Sequence, residues 1–169
     1  MEFNLKSISK AGIPEAISKA ELYRSLNEPE EAESICHDIL AVEPEHQLAI
    51  RLMGLAITDQ FSGDASDRVA EAGELFLKLA DPYERLYYTG IVHERRAKAL
   101  MRVGRPRHIL TPLFREAMRC FEEAEAIRPS GNDDAILRWN RCARLLQSHP
   151  GFLEERGAET FDAFDSSPI

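Results

Sequence analysis

No stretch of this 169-residue chain approaches the apolar length that a membrane span needs. The opening segment, Met1 to Lys10, alternates polar and apolar residues and lacks the continuous apolar core of a secretion signal. Cysteine is scarce: Cys36, Cys120 and Cys142 are odd in number, and each falls in a stretch of helical periodicity. That usage argues against a disulfide framework and for small core residues in a reducing cytoplasm. Basic charge is in deficit, with 21 Lys and Arg against 29 Asp and Glu and a formal charge of −8. No surplus of cations is available to displace phosphate counterions, so nucleic acid is not an expected partner and only local basic patches remain open. A glycine-rich phosphate loop and a strand-borne serine elbow are also missing. His37-Asp38 and His93-Glu94 are the only candidate bases, and neither recurs with a second ligand pair at metal spacing. The chain therefore reads as a non-enzyme, with no metal or cofactor expected.

What the chain does contain is an internal echo. Ala32, Cys36 and Ile39 before Pro44 share their spacing with Ala117, Phe121 and Ala124 before Pro129, and Ala72, Phe76 and Leu79 repeat it with Pro82 two residues early. Each copy follows another helical stretch, which predicts stacked antiparallel helix pairs. Pro14 fits the first turn of a helix running to about residue 26. Asn27 and Glu30 then suit a capping box for a second helix, from about 28 to 42, which stops before Pro44. Further helices are expected over about 45–59, with Leu48, Leu52 and Leu55 in one stripe, then over 67–80 and 83–102. Gly104 to Leu110 reads as the main internal loop, with Thr111 as N-cap and Pro112 as first helical residue of a sixth helix ending by Pro129. A seventh, opened by Asp133 or Asp134, places Ala135, Trp139, Cys142 and Leu146 on one face and Arg138, Arg141 and Arg144 on another, as suits the cap of a stack.

The small, large and apolar positions of these pairs resemble the tetratricopeptide repeat family: Ala20 and Tyr23, then Ala32, Cys36, Ile39 and Pro44; Gly54 and Ile57; and Ala117, Phe121, Ala124 and Pro129. A side chain larger than alanine at the helix crossing would force the pair apart. The proline intervals of 38 and 47 residues exceed the family period of 34, which implies insertions in the second and third repeats. Either Gly90 or Val92 suits the small crossing position of the fifth helix. The resemblance implies an all-α fold, a short right-handed α-solenoid of about three antiparallel helix pairs plus a C-terminal capping helix. This domain would occupy 13–148, between an N-terminal extension, 1–12, and an acidic tail, 149–169. From residue 151 onward, five acids and one arginine carry half the formal charge, so the tail is expected to be mobile or weakly docked.

The resemblance also implies a concave groove, lined by the first helix of each pair, that receives an extended peptide or a partner helix. The corresponding positions here are Ile17, Glu21 and Arg24, then Leu48, Arg51 and Leu55, then Tyr87, Glu94 and Arg95. Ile17 and Glu21 stand where a carboxylate clamp of the family would need lysine and asparagine, so no such clamp is expected. The strongest charge feature is a basic run of Arg95, Arg96, Lys98, Arg102, Arg105 and Arg107, with His108 beside it. It suits an acidic peptide, a phosphate group or the chain's own tail, against the simpler reading of solvated helix ends favoured by the helix dipole. Arg138, Arg141 and Arg144 extend it if the cap helix lies near the fifth helix. Phe161 and Phe164, spaced among acids, suit a docking segment. The expected function is a cytoplasmic, non-catalytic adaptor for a protein or peptide. The alternatives are a small chaperone for a secreted or unstable client and a self-assembling structural protein, such as a homodimer.

Overall fold

The computed structural model describes residues 3–64 and 66–152, and those residues are all-helical. Seven α-helices follow one another: α1 (Ile13–Ser25), α2 (Pro29–Val42), α3 (Gln47–Asp59), α4 (Ser66–Leu77), α5 (Pro82–Arg102), α6 (Arg107–Ala126) and α7 (Asp134–Gln147), with 3-10 turns at Lys10–Gly12 and Pro150–Phe152. Consecutive helices pack on each other, and α3 also touches α1 and α5. None of these helices is long and apolar enough to cross a membrane.

Two helix ends differ from the sequence expectation. Asn27 does not cap α2; it takes a left-handed conformation, φ 61°, and closes α1. Its N–H donates to the Arg24 carbonyl at 3.0 Å and the Glu28 N–H donates to the Tyr23 carbonyl at 2.9 Å, the paired bonds of a Schellman ending. Asparagine tolerates this conformation better than most residues, so the signal read as a start is a stop. The expected loop through Leu110 is also shorter, because α6 begins at Arg107 and carries Pro112 inside it. Pro112 forfeits a bond to the His108 carbonyl, on an exposed residue where water can replace it. In return the extra turn buries Leu110 in the core, and the Thr111 hydroxyl donates to the Arg107 carbonyl at 3.0 Å.

Two of the helix pairs approach closely at a glycine. A Cβ built on Gly54 of α3 would lie 2.5 Å from the Phe76 ring of α4, and one on Gly90 of α5 would lie 2.5 Å from the Phe121 ring of α6. This fixes the register of α5, with Gly90 and not Val92 at the crossing. Ala20 and Cys36 occupy the matching sequence positions of the first pair, where a smaller side chain on one helix goes with a larger one than glycine on the other. Ala20, Cys36, Phe76 and Phe121 are all buried.

Helices α1 to α4, with Val92 and Ala99 of α5, form one apolar cluster and α5 to α7 another, and Leu55 and Tyr88 pack against both. An aromatic run joins them: Phe76 stacks on Tyr88 at 4.9 Å, Tyr88 meets Tyr87 edge-on at 5.0 Å, and Tyr87 lies 5.9 Å from Phe121. All three cysteines are free and buried, and burial pushes the Cys36 and Cys142 thiols up to about 12. At the C-terminal end, Phe152 packs edge-on against Phe114, with ring centroids 6.2 Å apart. The segment assigned to the tail thus begins as a docked turn. Phe161, Phe164 and the acids from Glu154 onward lie outside the described residues.

Glu33 clips α2 to the second pair. Its carboxylate accepts hydrogen bonds from Gln60 Nε2 and Arg68 Nη2, both at 2.6 Å. Burial pushes this carboxyl up, but the bonds from Arg68 and Gln60 and the charges of Arg68 and His37 outweigh it, holding the pKa below 4.5. A depressed folded-state pKa stabilises the fold above the unfolded value and ceases to do so as pH falls through the folded value. Urea denaturation of Arg68→Ala across pH should therefore show its deficit at neutral pH shrinking below about pH 4.5. A deficit independent of pH would mean that Arg68 acts by packing alone.

Candidate functional site

Asp59, the last residue of α3, accepts from Arg24 Nε of α1 at 2.8 Å and pairs with Arg95 of α5. Arg95 also donates to the Thr58 hydroxyl at 2.6 Å and to the Leu55 carbonyl at 3.3 Å. One Asp59 carboxylate therefore ties the C-terminal ends of α1 and α3 to the body of α5. Burial disfavours the charged Arg95 guanidinium and lowers its pKa, an effect that the Asp59 charge opposes. Next along α5, Glu94 is 0% exposed. It is held by Lys98, one turn on, and by Arg138 Nη1 of α7 at 3.4 Å. Burial also works against the Arg138 charge, but Glu94 and the neighbouring Tyr87 outweigh it and raise its pKa. Arg102 donates to the Phe61 carbonyl at 3.2 Å.

These groups enclose a recess of about 210 Å³, lined by Thr58, Asp59, Arg95, Lys98, Arg102 and Arg138. Four cations meet two carboxylates there, Asp59 and Glu94, which leaves a surplus of two positive charges. The surface continues past Lys98 and Arg102 to the exposed Arg141 and to Leu145 of α7. Glu94 is fully buried beneath Lys98 and Arg138 and pairs with both, while Asp59 lines the recess and pairs with Arg95. Such a bed suits binding of anionic groups.

The structure divides the groove positions read from sequence. Arg24, Arg95 and Glu94 join in the ladder just described, but Glu94 forms its buried base and is closed to direct contact with a ligand. Ile17 is likewise in the core, because the apolar stripe of α1 turns it toward α2 and α3. Arg51 is committed to Glu84 at 2.7 Å, a bridge between α3 and α5. Leu55 and Tyr87 are half-buried in the clusters, whereas Glu21 and Leu48 are exposed. The basic run divides too. Arg95, Lys98 and Arg102 share the recess, while Arg96 lies close enough to His93 to influence its charge. Arg105 and Arg107 line a separate hollow with Met101, Leu110 and Phe152. Helical rotation of about 100 degrees per residue turns Arg96 away from Arg95, Lys98 and Arg102, and Arg105 and Arg107 lie beyond the end of α5.

Arg138, expected to extend the basic run if the cap helix lies near the fifth helix, does reach the recess through Glu94, although no local pattern encodes that distance. One cluster was not legible as a site. His93 of α5 and Glu116 and Cys120 of α6 come together, with their ligand atoms within 4.8 Å of one another. The i, i+4 spacing of Glu116 and Cys120 was the available signal, but the third member comes from another helix. No protein-family model, curated protein or solved structure matches the chain.

Proposed function

We propose that this chain is a tetratricopeptide-like interaction module, a short right-handed solenoid of three helix pairs and a cap, whose α3–α5–α7 surface binds an acidic segment of a partner protein in the cytoplasm. The observation that carries the reading is the cationic surplus around Glu94 in a chain whose formal charge is −8. Contacts of α3 with both α1 and α5, the first helices of the neighbouring pairs, support the stacked arrangement. Recognition is electrostatic and non-catalytic: Arg102 and Arg141 meet the ligand first, while Lys98 and Arg138 are already oriented by Glu94. Free, buried thiols at all three cysteines support the reducing compartment.

The test is fluorescence anisotropy with a labelled peptide of alternating Glu and Ser. Arg102→Glu combined with Arg141→Glu should weaken binding about tenfold or more, since both replacements set like charges against the ligand. Raising the salt concentration should weaken the wild type in the same direction. Unchanged affinity in the double variant, or equal binding of a Lys-Ser control peptide, would reject this surface as an acidic-segment site.

A further inference from the structure

We propose that His93, Glu116 and Cys120 form a binding site for a zinc-class divalent cation on the α5–α6 side of the third helix pair. Glu116 and Cys120 lie one turn apart on α6, and α6 is pinned against α5 where Phe121 packs on Gly90. His93 follows Gly90 by one turn and so meets them across the crossing. The three ligand atoms lie within 4.8 Å of one another, whereas those of a tetrahedral zinc site lie roughly 3.5 Å apart.

Comparison with the preceding pairs singles this site out. At the same offsets from the Gly54–Phe76 crossing stand Ile57 and Leu75, both buried apolar residues, with Glu71 in the acidic position. In the first pair the matching positions are Tyr23, Ile35 and Glu31, of which Tyr23 and Ile35 pack against the core. The third pair alone replaces both packing residues with a nitrogen and a sulfur ligand.

The replacement leaves a buried polar atom unsatisfied: among the described residues, His93 Nδ1 has no hydrogen-bond partner. Buried groups of this kind are normally paired, and the exceptions call for a cause such as an ion. Arg119 supplies an outer layer. Its Nε and Nη2 donate to the two Glu116 oxygens at 3.0 and 2.5 Å, which fixes the carboxylate while leaving lone pairs for a metal. Its Nη2 also lies 3.9 Å from Cys120 Sγ, where positive charge favours a thiolate.

One imidazole, one thiolate and one carboxylate match the borderline-soft preference of zinc and disfavour magnesium and calcium, which select oxygen ligands. A fourth position stays open to water. Without metal, burial pushes the Cys120 thiol up to about 11 and holds His93 below its ordinary value. Binding needs an unprotonated His93 nitrogen, and the thiol releases its proton to solvent as the metal–sulfur bond forms.

Titration of the reduced full chain with Co2+ should yield a sulfur-to-metal charge-transfer absorption that saturates at one ion per chain and is displaced by Zn2+. Cys120→Ser should abolish that absorption. His93→Gln and Glu116→Gln should each weaken Zn2+, measured against a chromophoric chelator, by about tenfold to a hundredfold. Zn2+ should raise the melting temperature of the wild type more than that of any variant. Glu116 is half-exposed, so Glu116→Gln provides the decisive comparison if Cys120→Ser does not fold. Absence of a thiolate absorption in the wild type, or Zn2+ affinity unchanged in His93→Gln and Glu116→Gln, would overturn the site.

Discussion

Gly90→Val is expected to lower stability by about 3 kcal/mol, which for a chain of this size corresponds to a fall in melting temperature of roughly 6–12 °C. Even the first carbon of any side chain at Gly90 would sit 2.5 Å from the Phe121 ring, and Phe121 is 0% exposed. The two helices must separate, breaking contacts along the α5–α6 pair. A double-mutant cycle distinguishes this steric cause from an effect of valine on helix propensity. Gly90→Ala should destabilise the wild type, yet cost little or even stabilise in a Phe121→Leu background, where alanine's better helix propensity prevails. The same destabilisation in both backgrounds, measured by urea denaturation, would show that the ring does not set the spacing.

The second large effect concerns the charged base of the recess. Lys98→Met together with Arg138→Met should cost about 3 kcal/mol, because it leaves the fully buried Glu94 carboxylate without either of its cations. Adding Glu94→Met should recover most of that loss, since removing the whole group is far less costly than leaving one charge unpaired. Failure of the third substitution to restore stability would mean that Lys98 and Arg138 contribute mainly through their aliphatic stems. Loss of acidic-peptide binding in the stable triple variant would separate the cations' role in recognition from their role in folding.

The parts of this molecule legible in its sequence are those encoded within a few residues. Proline at the helix starts, the 3.6-residue stripes and the small-large-small spacing of Ala117, Phe121 and Ala124 sufficed to place seven helices. Signals with two meanings misled: Asn27 ends a helix with the side chain that could also begin one, and Pro112 marks a tolerated break in hydrogen bonding and not the start of α6. The recess was only half legible. Arg95, Lys98 and Arg102 recur at helical spacing and can be assigned to one face, but their positions depend on Asp59 and Arg138, which lie 36 and 43 residues from Arg95 in the chain. Glu94 read as a groove residue because a charged side chain is ordinarily exposed; its burial follows from partners on its own helix and on α7. The His93, Glu116 and Cys120 cluster was hidden for a related reason. Ligand-spacing rules look along the chain, and this set is assembled across a crossing that Gly90 makes close.

The most direct measurement of acidic-segment recognition is a 1H–15N chemical-shift map of the labelled full chain titrated with the Glu-Ser peptide. The expected shifts concentrate at Thr58, Asp59, Lys98, Arg102, Arg138 and Arg141, and diminish together as salt is raised. Shifts confined to α2, α4 and α6, or no saturable shifts at low salt, would contradict an acidic-segment site on the α3–α5–α7 surface.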